Sequence, residues 1–447
     1  MIPPDPAPVG QKPSFREALR FWVKLGFISF GGPAGQIAIM QTELVERNKW
    51  IGQERFLHAL NFCMLLPGPE AQQLAIYCGW LLHRTWGGIV AGVLFVLPSA
   101  FLLWGLSYLY VMHADWPVLA GFFSGLKPAV VAVVVAAVLR IGGKALKTPA
   151  HRAIAATAFG LIFGLGVGFP WIVAGALVLG WLGSRFWPTQ FTLRQEHHTG
   201  KNLPASEERE TIIDEAQSDG VAPSWARACR VVAVCGVLWI APIVAAAWVF
   251  GPNSTLVAQG GFFSRAAMVT FGGAYAVLPY VAQQAVETHG WLSGTQMLDG
   301  LAFAETTPGP LIMVLQFVGF MGGWAHPDAG LSPLMAATLG AAMTTWVTFV
   351  PCFLWIFLGA PYIERLRGNA ALGAALSAVT AAVVGVILNL AVWFAGQVWH
   401  PTGSGWNGFA LAVSVTAFVA LHRFKANLIA VLAASGAAGV LWAWLLG

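Results

Sequence analysis

The chain has 447 residues, 57% of them hydrophobic and 10% charged, with a mean hydropathy of +0.69 and a formal net charge of +5. A soluble globular domain carries about 25% charged residues, so this composition excludes an ordinary soluble fold and turns most of the surface toward lipid. Apolar runs of the roughly 20 residues that span a bilayer fall at 86–111, 118–139, 231–250, 335–358 and 372–393. A β-barrel would need short alternating strands instead. Aromatic–basic interleaving of the nucleic-acid-binding kind is absent, so no nucleic-acid partner is expected. The fold class read from these runs is an all-α polytopic protein in contact with the lipid bilayer.

Residues 1–13 are Pro-rich without an apolar core and are expected to be disordered, not a cleaved signal peptide. A first membrane domain is predicted over 14–187. Its opening segments are apolar but interrupted: the run at 15–45 breaks at Gly31-Gly32-Pro33, and the run at 55–82 breaks at Pro67-Gly68-Pro69. Proline removes a helical N–H, and glycine permits backbone angles that no helix uses. Each run therefore reads as two half-helices meeting at a break.

Between 188 and 226 the composition turns polar and holds seven of the chain's 19 acidic residues, which predicts a solvated cytoplasmic linker. The pair His197-His198 within it has no third ligand at metal-binding spacing. The five cysteines, Cys63, Cys78, Cys229, Cys235 and Cys352, form no C-x-x-C pair. No metal, disulfide or cofactor is expected.

A second domain is predicted over 227–447, and its opening repeats the first at a constant shift of 241 residues. Phe30-Gly31-Gly32 returns as Phe271-Gly272-Gly273, Glu46 as Glu287, Trp50 as Trp291, and Pro67-Gly68-Pro69 as Pro308-Gly309-Pro310, without a gap. Duplicated hydrophobic segments broken at matching places are the sequence mark of a membrane transporter.

Loop charges orient the two copies. Lys and Arg flank the first break and follow the second, and recur at 140–152, 185–209, 227–230, 365–367 and 423–425. The connections at 112–117, 166–169, 251–259, 288–294, 323–333 and 399–406 have none. The positive-inside rule makes the first set cytoplasmic. It is satisfied when each broken segment enters and leaves on one side, giving nine full crossings, a cytoplasmic N-terminus and an external C-terminus. The loop after the first break is basic in half one and free of Lys and Arg in half two, so the halves form an inverted repeat.

A half-helix that starts in mid-membrane presents unsatisfied N–H groups and the positive end of its dipole, which suits an anion. The expected substrate site is therefore built from the break residues Gly31, Gly32, Pro33, Pro67, Gly68, Pro69, Gly272, Gly273, Pro308, Gly309 and Pro310. Gln72, Gln73, Thr306 and Thr307 add neutral donors, and Lys24, Lys127 and Arg265 add charge. Lys24 and Arg265 share a repeat position, six residues before each Phe-Gly-Gly, and Lys127 lies deep in an apolar run. Glu70 and Glu305 flank the Pro-Gly-Pro breaks as proton-carrying candidates, since buried carboxyls shuttle protons in transporters. His58 and Asp299 share a repeat position too and read as interface residues, two to three turns from the breaks.

Phe30-Gly31-Gly32-Pro33-Ala34-Gly35-Gln36 and Leu66-Pro67-Gly68-Pro69-Glu70-Ala71-Gln72-Gln73-Leu74, with their degenerate copies at Phe271 and Thr307, resemble the signature of the chromate ion transporter family in its long, two-domain form. The resemblance implies chromate efflux across the bacterial inner membrane, chromate resistance, and sulfate as a competing oxyanion. Single-domain members, which resemble each half, are thought to pair in opposite orientations. The second copy departs from the first by placing Ala274, Leu311 and Met313-Val314 where Pro33, Glu70 and the glutamine pair stand, and by gaining Glu305 and Thr306. A homodimer stays open.

Function classes separate on motifs. No Gly-x-x-x-x-Gly-Lys-Ser/Thr run supports ATP hydrolysis. No His-Glu-x-x-His, Gly-x-Ser-x-Gly or haem-ligand pattern supports a membrane enzyme. A passive anion channel on the same frame would conduct without saturation, whereas a secondary transporter would show saturable, gradient-coupled counterflow.

Overall fold

The computed structural model describes residues 13–30, 32–113, 116–191, 224–360, 370–401 and 405–446. Every regular element among them is helical. The N-terminal 1–12, Gly31, His197-His198 and most of the predicted linker lie outside the described residues. The linker's described ends are helical, as α8 (Pro188–Phe191) and the start of α9 (Trp225–Phe250).

The first half opens with α1 (Phe15–Ile28), started by a capping box in which Ser14 and Glu17 satisfy each other's backbone N–H groups. After the break, α2 (Gly32–Gln41) runs into a π-helical turn at Thr42–Arg47. Then come α3 (Gln53–Leu65), the Pro-Gly-Pro break and α4 (Glu70–His113). The second half repeats this series after α9. Its elements are α10 (Thr255–Val269), α11 (Ala274–Ala282) with its own π turn (Gln283–Thr288), α12 (Gly294–Thr306), a 3-10 turn (Leu311–Met313) and α13 (Val314–Ala325). Both π turns, and the starts of α3 and α12, keep the shift of 241.

Each broken segment folds back on itself. The Phe21 and Trp50 ring centroids lie 6.0 Å apart, and their repeat partners Phe262 and Trp291 lie 5.8 Å apart. Arg55, at the head of α3, hydrogen-bonds the Tyr77 hydroxyl in α4; an unbroken straight helix would separate them by about 33 Å at 1.5 Å per residue. Gly300 of α12 is packed so tightly on Phe317 of α13 that an added Cβ would meet the ring at 2.3 Å. A second reversal sits inside α4, where His83 and Arg84 leave helical geometry and Arg84 takes φ +53°. The arms 70–82 and 85–113 then pack back to back, with a Cβ at Gly79 only 2.4 Å from the Gly87 carbonyl.

The remaining helices are α5 (Pro117–Ala145), α6 (Pro149–Leu165), α7 (Phe169–Phe186), α14 (Pro333–Gly359), α15 (Ala370–Trp399), α16 (Gly408–His422) and α17 (Leu428–Leu446). Helices α5 to α7 and α15 to α17 form one bundle, in which α15 packs on α5, α6 and α7, and α5 packs on α16 and α17. Small residues make the approaches, as is usual between membrane helices: Gly125 faces Ser435, Gly180 faces Ala374–Ala375, and Gly385 faces Ala155.

Of the two repeated hairpin pairs, this bundle packs on the second. Helices α15 and α5 pack against α12, and α15 packs against α11. Among the described residues the repeat-equivalent surface of α2 and α3 is uncovered, leaving Ala34, Ala38, Leu57, Asn61 and Met64 exposed.

Seven described helices are long and apolar enough to cross a membrane: α4, α5, α7, α9, α14, α15 and α17. The other two expected crossings correspond to α6 and α16, apolar helices of 17 and 15 residues. Helix α9 shows what lipid contact looks like here. Trp225 and Trp248 are 88% and 89% exposed and stand about 34 Å apart along the axis, the separation of two aromatic belts flanking a bilayer core. The chain is a multi-pass membrane protein.

Candidate functional site

The four breaks meet in pairs, and each pair joins the two halves. Gly68 donates its N–H to the Thr270 carbonyl at 2.8 Å, and Gly309 donates to the Ser29 carbonyl at 2.8 Å. Gly309 is the repeat partner of Gly68, and Thr270 of Ser29, so one hydrogen bond is made twice, reciprocally, as across a two-fold interface. Proline on both sides leaves this glycine the one N–H donor within each Pro-Gly-Pro. Both glycines hold φ near +116°, at +117° and +115°, a region open to glycine and closed to L side chains. The preceding residues match as well: Ser29 and Thr270 each turn their hydroxyl back to a helix carbonyl, Leu25 at 2.5 Å and Ala266 at 2.6 Å.

Half-helices begin beside these crossings at Gly32, Glu70, Ala274 and Leu311, so first-turn N–H groups lacking helical partners converge there. Glu70 faces the Gly-Gly break of the opposite half, where a Cβ on Gly273 would lie 3.7 Å from its Oε1. Gln36 is fully buried and donates from Nε2 to the carbonyls of Gly309 at 2.6 Å and Ser29 at 3.3 Å. Gln73 donates to the Pro67 carbonyl at 2.8 Å, and Gln72 to the Gly92 carbonyl at 3.4 Å. The glutamine nitrogens, expected to serve an oxyanion, are thus committed to backbone carbonyls.

Beside the Gly309 crossing lies a free donor that sequence reasoning missed. Ser99, 1% exposed, packs against Gly309, and its Oγ has no protein partner. Its one sequence signal is the preceding Pro98 inside a helix.

Thr306 and Thr307 turn their hydroxyls back onto α12, to the carbonyls of Ala302 and Phe303 at 2.8 to 3.1 Å. Pro33, Pro69, Pro308 and Pro310 shape the breaks without donating. Gly272 is exposed with φ +79°.

The basic residues divide. Lys24 is half exposed and its ammonium lies 3.0 Å from Glu43, which also holds Arg47 at 3.1 Å. Arg265 is exposed and donates from Nε to the Gly261 carbonyl of its own helix. Neither reaches the crossings. Lys127, in contrast, makes a deep ion pair. Its Nζ lies 3.4 Å from Oδ2 of Asp299, which is 2% exposed and also accepts the Tyr110 hydroxyl at 2.9 Å. Asp299 is therefore a core residue, not the interface residue its distance from the break suggested.

Glu305 is buried as well; it accepts a short hydrogen bond from Tyr275 and feels the charge of Arg140. Both cations belong to α5 and both carboxylates to α12, so the seam between these helices sets two buried carboxylates against a partly exposed Lys127 and an exposed Arg140. Among the described residues no cluster of His, Cys, Asp or Glu is arranged to hold a metal. A cavity of about 330 Å³ elsewhere, lined by Gln283, Glu287, Asn389 and Trp393 among others, brings a carboxylate and no cation, which disfavours an anion.

Comparison with known proteins agrees with this architecture. The family described as Chromate transporter matches residues 16–181 and again 257–440, once for each half. The chain is 30% identical to the chromate transport protein of Pseudomonas aeruginosa over 431 residues, 95% of this chain and 92% of that protein. It is 27% identical to the chromate transport protein of Cupriavidus metallidurans, over 86% of this chain and 85% of that one. A shorter relative, the uncharacterized transporter YwrB of Bacillus subtilis, is 30% identical over 133 residues, 30% of this chain and 68% of its own length. No solved structure matches significantly. A two-fold match of this extent, on a chain whose broken helices recur in both halves, makes the protein a member of the chromate transporter family.

Proposed function

We propose that the chain is a secondary active transporter that exports chromate across the bacterial inner membrane and so confers chromate resistance, with sulfate as a competing oxyanion. The reading rests above all on the reciprocal Gly68–Thr270 and Gly309–Ser29 hydrogen bonds, which bring the half-helix starts of the two halves together in two pairs. An oxyanion there meets backbone N–H groups and positive dipole ends, with the Ser99 hydroxyl as an added donor. The halves are inverted across the membrane, the broken segments are re-entrant, and Glu70 and Glu305 carry the coupling proton.

Everted membrane vesicles loaded against a pH gradient test this reading. Saturable chromate uptake that responds to the gradient, and is reduced by sulfate more than by molybdate, is the expected result. Conductive, unsaturable flux would instead make the protein a channel. A Glu70→Gln variant that retains full gradient dependence removes Glu70 from the coupling role.

A further inference from the structure

The ion pair between α5 and α12, in which Asp299 is buried and Lys127 is partly exposed, has a feature that a purely structural tie does not need. Both donors, Lys127 Nζ and the Tyr110 hydroxyl, converge on a single oxygen of Asp299, Oδ2. The other oxygen, Oδ1, is buried with no hydrogen-bond partner. A carboxylate in a low-dielectric site normally spreads its charge over donors to both oxygens, because an unmet charged acceptor is expensive. The surroundings offer no other donor. Tyr110, Phe123, Phe303 and Phe317 close around the pair with ring centroids 5.2 to 6.0 Å apart.

The charged and titratable groups facing Asp299 are few. Helix α5 brings Lys127 and, further along, Arg140; α4 brings Tyr110; α12 itself carries Glu305, which is engaged with Tyr275. Helices α13, α15 and α17, which also pack on or near α12, carry no Asp, Glu, Lys, Arg or His between 314–325, 370–399 and 428–446. Asp299 lies about 12 Å along α12 from the Thr307–Pro310 break, so a cation held by one oxygen of one aspartate stands little more than two helical turns from the crossings.

We propose that Lys127, Asp299 and Tyr110 form an exchange site at which an oxyanion and a proton are taken up together. The contact between the Lys127 ammonium and Asp299 Oδ2 breaks, the ammonium and the Tyr110 hydroxyl take oxygens of the oxyanion, and one proton from solvent bonds to Asp299 Oδ1. The aspartic acid is neutral and tolerates the anion beside it. A dianion travelling with one proton carries one net negative charge, so turnover through this site moves charge as well as substrate. The proposal rests on the oxyanion-transport reading and adds the place where proton and substrate meet, with Glu305, one to two turns along the same helix, and Glu70 at the crossings passing that proton on.

The test is a binding measurement on the purified full-length protein, weakly buffered at a pH where chromate is the dianion. Chromate is titrated while binding is followed by equilibrium dialysis and proton uptake by an indicator dye. The wild type is expected to take up about one proton per oxyanion bound, D299N to bind chromate without that uptake, and K127M to bind roughly tenfold more weakly. Binding without uptake in the wild type, or unchanged uptake in D299N, overturns the proposal while leaving the transport reading intact. Absence of both chromate and sulfate binding in the wild type overturns the transport reading itself. Should a single variant fail to fold, K127M/D299N removes both charges together and keeps the seam neutral. It is expected to bind weakly without proton uptake, and wild-type binding and uptake in it would show the pair to be a structural tie only.

Discussion

At the scale of single residues, Gly309 and Ser99 make opposite predictions from one contact. A Cβ at Gly309 would lie 2.4 Å from the Ser99 Cβ and would sit at φ +115°. Gly309→Ala therefore combines steric overlap with backbone strain of about 1–3 kcal/mol. It is expected to lower the thermal midpoint in detergent and abolish transport. Gly105→Ala, in the same helix as Ser99 but with nothing within 4 Å of the added carbon, is expected to stay within about 0.5 kcal/mol of wild type. Ser99→Ala behaves differently again. Its buried hydroxyl has no protein partner, and an unmet buried polar group costs stability, so removing it should keep or raise the thermal midpoint while raising the chromate KM. A Ser99→Ala protein that loses stability with an unchanged KM would make the hydroxyl structural.

At the scale of elements, the broken helices were legible in the sequence because their causes are local. Pro-Gly-Pro supplies one N–H in three residues, sets proline rings against the preceding turn and holds its glycine at positive φ, so a break follows from three residues whatever surrounds them. The fold-back of each segment was legible only through loop charge. What the local pattern does not carry is which break meets which. The Gly68–Thr270 and Gly309–Ser29 bonds join residues some 200 positions or more apart, and nothing in either motif names its partner. Asp299 was misplaced for the same reason: its significance lies in Lys127 and Tyr110 on other helices, not in its distance from Pro308. Lys24 and Arg265 show the converse, a retained charge position whose side chains bond within their own segments, to Glu43 and to the Gly261 carbonyl. One prediction belongs here. Arg47 and Thr288 are repeat partners at the ends of equivalent π turns, and both are exposed. In a Cys229→Ser background, Arg47→Cys should react with an impermeant thiol reagent from the cytoplasmic side, and Thr288→Cys from the outside. Labelling of both from one side would falsify the inversion.

At the scale of the whole molecule, the near-identity of the two hairpin pairs makes their unequal surroundings informative. The bundle of α5–α7 and α15–α17 covers α11 and α12 and leaves the equivalent faces of α2 and α3 bare, so that Glu305 is 6% exposed and its repeat partner Met64 is 46% exposed. The two faces share one plan but not their charge: the covered face sets Asp299 and Glu305 against Lys127 and Arg140, whereas the bare face carries His58 and Met64 at those positions, a difference that favours the covered one. In the proposed transport cycle the bare face would be the side from which the crossings are reached, and exchange of the bundle between the two faces would open the other side. Movement of that kind must break the α5–α12 seam, where Phe123 and Phe303 lie 5.2 Å apart between ring centroids. Bridging Phe123→Cys and Phe303→Cys with a short reducible bifunctional thiol reagent should therefore stop chromate flux while leaving chromate binding in place, and reduction should restore the flux. A bridged protein that transports at the unbridged rate would mean that the seam is static, and that the site is reached on both sides without the bundle moving.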